Sequence, residues 1–411
     1  MLDLNTLADD ADAVTLDPSQ QTAVDYITDA ISQKGLHCLF LTGPAGCGKT
    51  FTVNRILESV GRDSAQVCAM TGAAAMHLGG KTLHKFLGIN PKSPTTVNTE
   101  RIGQSLVGVK LVIVDEVSMM TAGMFHMLLR GLKGHNVTVL LVGDFAQIPP
   151  IFERTQGDLF TQHIYESPIW EHIVKLNLTV NHRQADDTGF FDLLNAVRSG
   201  KMTQETFDLL ATREVAELPH GVPVLASKRK TVEDFNEAGI ARLGEPITSH
   251  EAYISAVHSD SVKPHQVLNN HIYPNTLKLC VGASIVLLNN DSAGRWVNGS
   301  LGTVRELHDG VVSIELKRDS LVVHIAKQTV DVFNARGGKV ITFIQYPMAL
   351  AYALTIHKSQ GMTLDEVSVD MEHHFAPGMT YVALSRCRSL AGLHIRGLSR
   401  MGTLRVPEIV L

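Results

Sequence analysis

The chain has 411 residues, with 36 Lys+Arg against 41 Asp+Glu and a formal net charge of −5. That excludes a uniformly basic coat of the histone kind, but not a basic groove on an acidic body. Hydrophobic residues make up 44% and charged residues 19%, so the chain can bury a core and divides naturally into two or three domains.

No apolar run reaches the ~18 residues of a membrane helix. The start, MLDLNTLADDADAVTL, lacks the basic-then-apolar layout of a secretory signal. The five cysteines are scattered, and no pair has CxxC spacing, so neither a disulfide framework nor a zinc site is indicated. The expectation is a soluble, cytoplasmic or otherwise intracellular protein without membrane contact. His373-His374 is a lone pair and reads as surface.

In chain order, short runs rich in Val, Ile and Leu recur between longer amphipathic stretches. His37–Thr42, Gln66–Thr71, Lys110–Asp115 and Val137–Gly143 read as buried parallel strands. Lys49–Val60 and Ala122–Leu132 read as the helices between them. This alternation predicts a doubly wound α/β domain. The polar segment from Gly88 to Arg101, with Pro91 and Pro94, reads as a protruding loop or small subdomain. Phe190–Ser199 and Thr231–Leu243 read as helices and Val222–Ala226 as a strand. From about Gly282 to Phe343 the segments SIVLL, GTVREL, VVSIEL and LVVHIA are broken by NND, NGS, HDG and RGG turns, which predicts a small antiparallel β unit. After Pro347 the α/β signal returns with Glu366–Met371 and Leu393–Arg396. The β unit is therefore an insertion in a second α/β domain. The expected boundaries are 1–170 for the first domain, with an insertion at about 86–106. The second takes 171–281 and 344–411, with the β insertion at 282–343.

Gly43-Pro44-Ala45-Gly46-Cys47-Gly48-Lys49-Thr50 fits GxxxxGK[ST] directly after a strand and at the opening of a helix, which is the context this motif needs. Its glycines let backbone N–H groups face phosphate, and the helix N-terminus adds partial positive charge. Lys49 would reach the β/γ phosphates of ATP, and the Thr50 hydroxyl would ligate Mg²⁺. Asp115-Glu116 ends the apolar strand LVIV. Asp115 there can hold the Mg²⁺ and Glu116 can position or deprotonate the attacking water. In LVGDFAQIPP, Gln147 lies just past a strand end, so it falls at the carboxyl edge of a parallel sheet, near the phosphates.

These residues together resemble the superfamily 1B DNA helicases of the Pif/RecD/Dda branch, over most of the chain. Leu16–Ala23 (LDPSQQTA) resembles the adenine-reading segment, with Gln20 as the amide for the base. Met70–Leu87 resembles the strand-exit motif that touches DNA. DEVSM resembles the DEISM form, and GDFAQIPP is similar to GDxxQLPP. Asn181-His182-Arg183-Gln184 resembles the segment that supplies an arginine finger, here Arg183. LKLCVGASIVLLNNDSAGRWVNGSLGT resembles the inserted β-barrel with its entry strand. ALTIHKSQGMTL and YVALSRCR match the last two helicase motifs, bringing Gly361 to the nucleotide and Arg386 as a second finger. The segment TAGMFHMLLRGLKGHNVTV departs from the family, because it lacks the Pro-Phe-Gly-Gly stretch typical of Pif proteins.

The resemblance implies two RecA-like domains clamping ATP and Mg²⁺, with closure driving 5′→3′ movement on single-stranded DNA and unwinding at a fork. It also implies roles in DNA replication, repair and recombination. It suits a minimal, monomeric motor core of bacterial or phage type, whose partners beyond DNA would be single-strand-binding or replication proteins. Taken alone, Arg183 and Arg386 also read as ordinary surface or capping arginines. Strand contact is expected from Thr71, Thr82, His84, Thr355, His357, Lys358 and Ser359, whose small polar groups suit phosphate oxygens. Phe86, Phe145 and Trp296 are expected to stack bases, at about 1–3 kcal/mol per base. Core packing is the competing reading for Phe86 and Trp296. Lys228-Arg229-Lys230 reads either as a phosphate-tracking cluster or as a solvated helix start. Two other functions stay open: an RNA or protein-displacing translocase, and a slow nucleotide-dependent switch.

Overall fold

A computed structural model describes residues 15–89, 97–150, 152, 158–256, 273–291, 293–333, 339–372 and 378–398. The first lobe begins with α1 (Pro18–Ser32), whose start is fixed by Asp17. The Asp17 carboxylate accepts from the N–H of Ser19 and Gln20, and the Gln20 side chain accepts back from the Asp17 N–H. There follow β1 (Leu36–Thr42), α2 (Lys49–Val60), β2 (Ala65–Ala69), α3 (Gly72–His77), β3 (Lys81–Thr82), α4 (Leu83–Leu87), α5 (Thr99–Ser105), β4 (Leu111–Asp115), α6 (Ala122–Leu132), β5 (Val137–Gly143) and β6 (Val174–Asn177). The six strands form one parallel sheet in the order β3-β2-β4-β5-β1-β6. Strands β4 and β5 are buried on both faces, as near-continuous aliphatic runs require in a doubly wound sheet.

The second lobe opens with α7 (Thr188–Ser199), capped by the Asp187 side chain on the Phe190 N–H and closed by Gly200. It continues with α8 (Gln204–Ala211), β7 (Val224–Ala226) and α9 (Arg229–Ala241). An antiparallel unit interrupts it. The unit comprises β8 (Thr248–Glu251), β9 (Tyr253–Ala256), β10 (Thr276–Leu279), β11 (Ser284–Leu287), β12 (Leu301–His308), β13 (Val311–Leu316), β14 (Val322–Ala326), β15 (Gln328–Phe333), β16 (Lys339–Gln345) and β17 (Met348–Leu350). The lobe then resumes with β18 (Ala353–Thr355), β19 (Val367–Asp370), α10 (Met379–Leu384) and β20 (Leu393–Arg396). Its sheet is parallel, in the order β18-β7-β19-β20. Two parallel α/β lobes with a β insertion in the second is the architecture the sequence predicts, but β6 pairs with β1, so the first lobe runs past the expected boundary at residue 170.

The antiparallel unit is wider than expected. Strand β9 pairs with β16, and β17 pairs with β11, so pairing starts well before residue 282 and extends past 343. The early strands escaped notice because β8 and β9 are short and largely exposed, with little apolar signal. Within the expected protruding segment, α5 covers Thr99–Ser105, while Pro91 and Pro94 lie outside the described residues, as do His373 and His374.

The lobes share apolar packing. Ala45, Ala146 and Ile148 of the first lobe sit in one buried cluster with Phe190, Val197, Tyr381 and Val382 of the second. Burial of this kind contributes about 25 cal/mol per Å² and is non-directional, so it holds the lobes together without fixing what faces the cleft.

Candidate active site

Because β1, β4 and β5 run parallel, their carboxyl ends meet on one edge of the sheet. The P-loop leaves β1, Asp115-Glu116 leaves β4 and Asp144–Gln147 leaves β5. Ligand sites in such sheets lie at that edge. The edge opens into a cavity of about 430 Å³ between the lobes. From the first lobe it is lined by Ala45, Gly46, Gly48, Lys49, Thr50, Thr71, Asp115, Glu116 and Gln147. The connection between the lobes adds Arg183, and the second lobe adds His357, Lys358, Gly361, Arg386 and Arg388, with Asn298 contributed by a turn of the β insertion.

The P-loop is held tightly. Lys49 donates to the carbonyls of Gly43 (2.7 Å) and Pro44 (2.9 Å), curling the loop around its own ammonium. Cys47 is buried beneath it. Gly46 has φ +86°, and a Cβ there would stand 2.7 Å from Arg183 Cβ, so no other residue fits between loop and arginine. The segment Asn181–Gln184 clasps both lobes. Asn181 donates to the Ala45 carbonyl, Arg183 donates to the Ser385 carbonyl (2.7 Å), and Gln184 donates to the Cys387 carbonyl.

Glu116 adopts a left-handed conformation at φ 56°, a cost characteristic of functional positions. Its N–H donates to the Asp115 carboxylate at 2.8 Å. Burial raises the Asp115 carboxyl. Burial, followed by the Asp115 charge, pushes Glu116 up to about 7, with Lys49 and Arg386 opposing. On the other wall, Arg386 is buried, with its guanidinium donating to the Val382 carbonyl (2.8 Å), the Met362 carbonyl (3.3 Å) and the Ser385 hydroxyl (2.8 Å). Burial and the neighbouring Arg386 and Arg388 cations both disfavour the charge on Arg183. Arginine nevertheless stays protonated. The cavity wall therefore holds five Lys/Arg side chains (Lys49, Arg183, Lys358, Arg386, Arg388) against two carboxylates (Asp115, Glu116); Arg388 is paired with the Asp365 carboxylate at 2.7 Å, and the other four still leave a surplus that a polyanion would neutralise.

The Thr50 hydroxyl and the Asp115 carboxylate are hard oxygen donors on the same wall. Mg²⁺ takes one or two carboxylates, completed by substrate phosphates and water. No cluster of three or more His, Cys, Asp or Glu is found among the described residues, and a metal held in that way needs none. The donor set therefore fits Mg²⁺.

Several expected residues sit elsewhere. Gln20 is buried with its amide already engaged. Its Nε2 donates to the Cys47 carbonyl and lies 3.2 Å from His182 Nε2, and the His182 ring in turn bonds Asp17 at 2.9 Å. Gln20 thus ties α1 to the P-loop, a structural duty the motif alone did not reveal. His357 and Lys358 line the phosphate-side cavity rather than a separate face, and burial followed by the Arg229 charge lowers both. Thr71, Thr82 and Thr355 each accept a backbone N–H at the start of a turn or helix, from Ala74, Lys85 and Lys358. His84 is half-buried, and burial lowers it. Ser359 is fully buried and donates to the Ile356 carbonyl, so it cannot reach a phosphate.

The three expected base-stacking rings are also buried. Phe86 is in the first-lobe core with Lys81 over its face. Phe145 stacks on Phe40 at 5.0 Å and meets Trp170 and Tyr165 edge-on. Trp296 fills the core of the β insertion and donates to Asn289. None presents a free face to a base. Residues that pattern reading overlooked include Asn181, His182, Asp144, Arg198 and Tyr381. The last two are polar groups inside apolar helices, which is the one signal that could have exposed them.

Two predictions follow from this geometry. Glu116 has a folded pKa above its unfolded one, so its contribution to stability is fully present below about pH 4.5 and is lost as pH rises through about 7. Without nucleotide or divalent cation, Glu116→Gln therefore raises stability at pH 8 by about 1–2 kcal/mol and adds nothing at pH 4. That figure is discounted because the carboxyl borders an open cavity. Thermal denaturation at the two pH values measures it. Trp296→Ala lowers unfolding free energy by about 3–5 kcal/mol, measured in urea, as expected of a core ring rather than a surface platform.

The model of the PIF1-like helicase family matches residues 15–208. The ATP-dependent DNA helicase Pif1 of Bdellovibrio bacteriovorus is 31% identical over 417 residues, covering 97% of this chain and 91% of that protein. The human ATP-dependent DNA helicase PIF1 is 34% identical over 90% of this chain, which spans only 60% of the human protein. Among solved structures, Pif1 helicase from Bacteroides in complex with ADP-AlF3 and single-stranded DNA superposes with a TM-score of 0.70 at 27% identity, covering 96% of this chain and 95% of that one. With its P-loop, its paired carboxylates and the arginines of a second lobe on one cavity, the chain belongs to the Pif1-like helicases.

Proposed function

We propose that this chain is an ATP-driven DNA helicase that moves 5′→3′ on single-stranded DNA and separates duplex ahead of it. The observation that carries this reading is the convergence of Arg386 from the second lobe and Arg183 from the connection between the lobes on the cavity that holds Lys49, Asp115 and Glu116 of the first. A switch that only binds nucleotide has no need of two cations supplied across a cleft. A motor does, because such an arginine can be worth roughly 10³–10⁵ in rate.

In this reading ATP is the substrate, cradled by the P-loop N–H groups and Lys49. Thr50 and Asp115 would hold Mg²⁺, which when bound neutralises phosphate charge. Glu116 is the base that orients and deprotonates water. Its raised pKa suits that task near neutrality. Gln147 sits beside it as a polar sensor of the terminal phosphate. Arg183 and Arg386 stabilise the charge that develops as the phosphoryl group leaves. Because Arg386 belongs to the second lobe and Arg183 is tied to that lobe through the Ser385 carbonyl, stabilisation requires the lobes to close, and product release lets them part.

The DNA assignment draws support from the Bacteroides relative, whose structure is a complex with single-stranded DNA. Thr82, His84 and Thr355 are proposed to meet the strand, through backbone phosphates rather than bases, while Thr71, His357 and Lys358 face the cavity with Lys49. The 5′→3′ direction is carried from the family resemblance.

Lys49→Ala is expected to abolish DNA-stimulated ATP hydrolysis. Glu116→Gln is expected to bind ATP at least as tightly as the wild type while turning over at least a hundredfold more slowly. Strand displacement with ATP and Mg²⁺ should proceed on duplexes bearing a 5′ single-stranded tail and fail on those bearing only a 3′ tail. The opposite preference would overturn the polarity, and equal stimulation of hydrolysis by RNA and DNA of one length would overturn the DNA assignment.

A further inference from the structure

Helix α10 touches three parts of the site at once. At its start, Gly378 packs so closely that a Cβ would stand 2.4 Å from the Gln147 carbonyl oxygen. In its middle, the Tyr381 hydroxyl accepts a hydrogen bond from the Ala45 N–H of the P-loop at 2.7 Å, in a fully buried setting. Just past its end, Arg386 is pinned back onto the helix through the Val382 carbonyl and the Ser385 hydroxyl. The helix is thus a short bar with the P-loop on one side and an arginine of the opposite wall on the other.

Behind the bar lies a buried ion pair that also joins the lobes. Asp144, at the exit of β5, is wholly buried, and Arg198 of α7 donates to it through Nε (3.2 Å to each oxygen) and Nη2 (2.9 Å). The same carboxylate accepts the Ala146 N–H, fixing the turn that carries Gln147. A buried pair of this kind is sensitive to loss of either member, because removing one leaves the other charge buried and uncompensated. Burial and the Asp144 charge both keep the Tyr381 phenol neutral, so the bond it accepts from the P-loop is made by an uncharged hydroxyl.

We propose that Tyr381 is a positioning residue. Through its bond to Ala45, and with the Asp144–Arg198 pair behind it, it sets the P-loop at a fixed distance from Arg386, so that strand engagement by the second lobe is felt at the phosphates. The inference rests on the motor reading above. Tyr381 touches no reacting atom. Its effect runs through the loop and the arginine.

Tyr381→Phe keeps the ring and deletes the single oxygen. Binding of a fluorescent ATP analogue and oligo-dT-stimulated turnover are measured on wild type and variant, with thermal denaturation to check folding. The expected result is an analogue Kd within threefold of wild type and a stimulated kcat at least tenfold lower. Unchanged stimulation overturns the proposal. So does a loss of binding in parallel with turnover, which would mark plain damage to the P-loop. Arg198→Lys keeps the charge beside Asp144 but not the two-pronged bond. It should lower stimulated kcat in the same direction, and should Tyr381→Phe fail to fold, wild-type stimulation in Arg198→Lys overturns the proposal. If the wild type itself shows no DNA-stimulated turnover, the motor reading falls first and this inference with it.

Discussion

The site is organised by an excess of positive charge in a cleft that two lobes share. Lys49 comes from the first lobe, Arg183 from the connection between the lobes, and Lys358, Arg386 and Arg388 from the second, with Asp115 and Glu116 as the carboxylates on the cavity wall. Like charges brought together in a partly desolvated space repel, and Arg183 and Arg386 are restrained by bonds to main-chain carbonyls that satisfy donors without cancelling the charge, whereas Arg388 is paired with the Asp365 carboxylate. An anion with several charges relieves that repulsion at a stroke. In the proposed motor, occupancy of the cleft is thereby coupled to lobe geometry. Whatever neutralises the cations also favours the arrangement in which they lie together.

The fold supplies this arrangement through topology. Parallel strands point their carboxyl ends the same way, so three separate stretches of sequence reach one edge. The second lobe then has to be held in register with that edge. Apolar packing around Ala45, Ala146 and Tyr381 gives adhesion, and directional bonds from Asn181, Gln184 and Arg198 give the alignment. This division of labour is physical: hydrophobic contact is insensitive to a small slide, whereas a two-pronged Arg–Asp bond is not.

Much of this was legible in the residues. The aliphatic runs around Val137–Gly143 and Leu111–Asp115 announced buried parallel strands, and GPAGCGKT in a strand-to-helix context announced the loop that leaves β1 for the cavity. The turns NND, NGS and HDG marked the inserted β unit, although its first strands were invisible because they are short and exposed. Phe145, Phe86 and Trp296 misled, because an aromatic ring in a motif looks the same whether its face meets a base or another ring, and only packing decides. Gln20 and Ser359 misled for a related reason: each has polar groups that a local backbone partner consumes. The interlobe contacts of Tyr381 and Arg198 could not be read at all, since their partners lie far away in sequence.

The central claim is that guanidinium groups of the second lobe complete a site built by the first. Comparing Arg386→Ala with wild type in a single-turnover ATP hydrolysis assay on saturating single-stranded DNA tests it most directly. The account predicts nucleotide binding near the wild-type level and a hydrolysis rate lower by roughly 10³-fold or more, as expected for loss of an arginine supplied across a cleft. Hydrolysis that continued at the wild-type rate would contradict it.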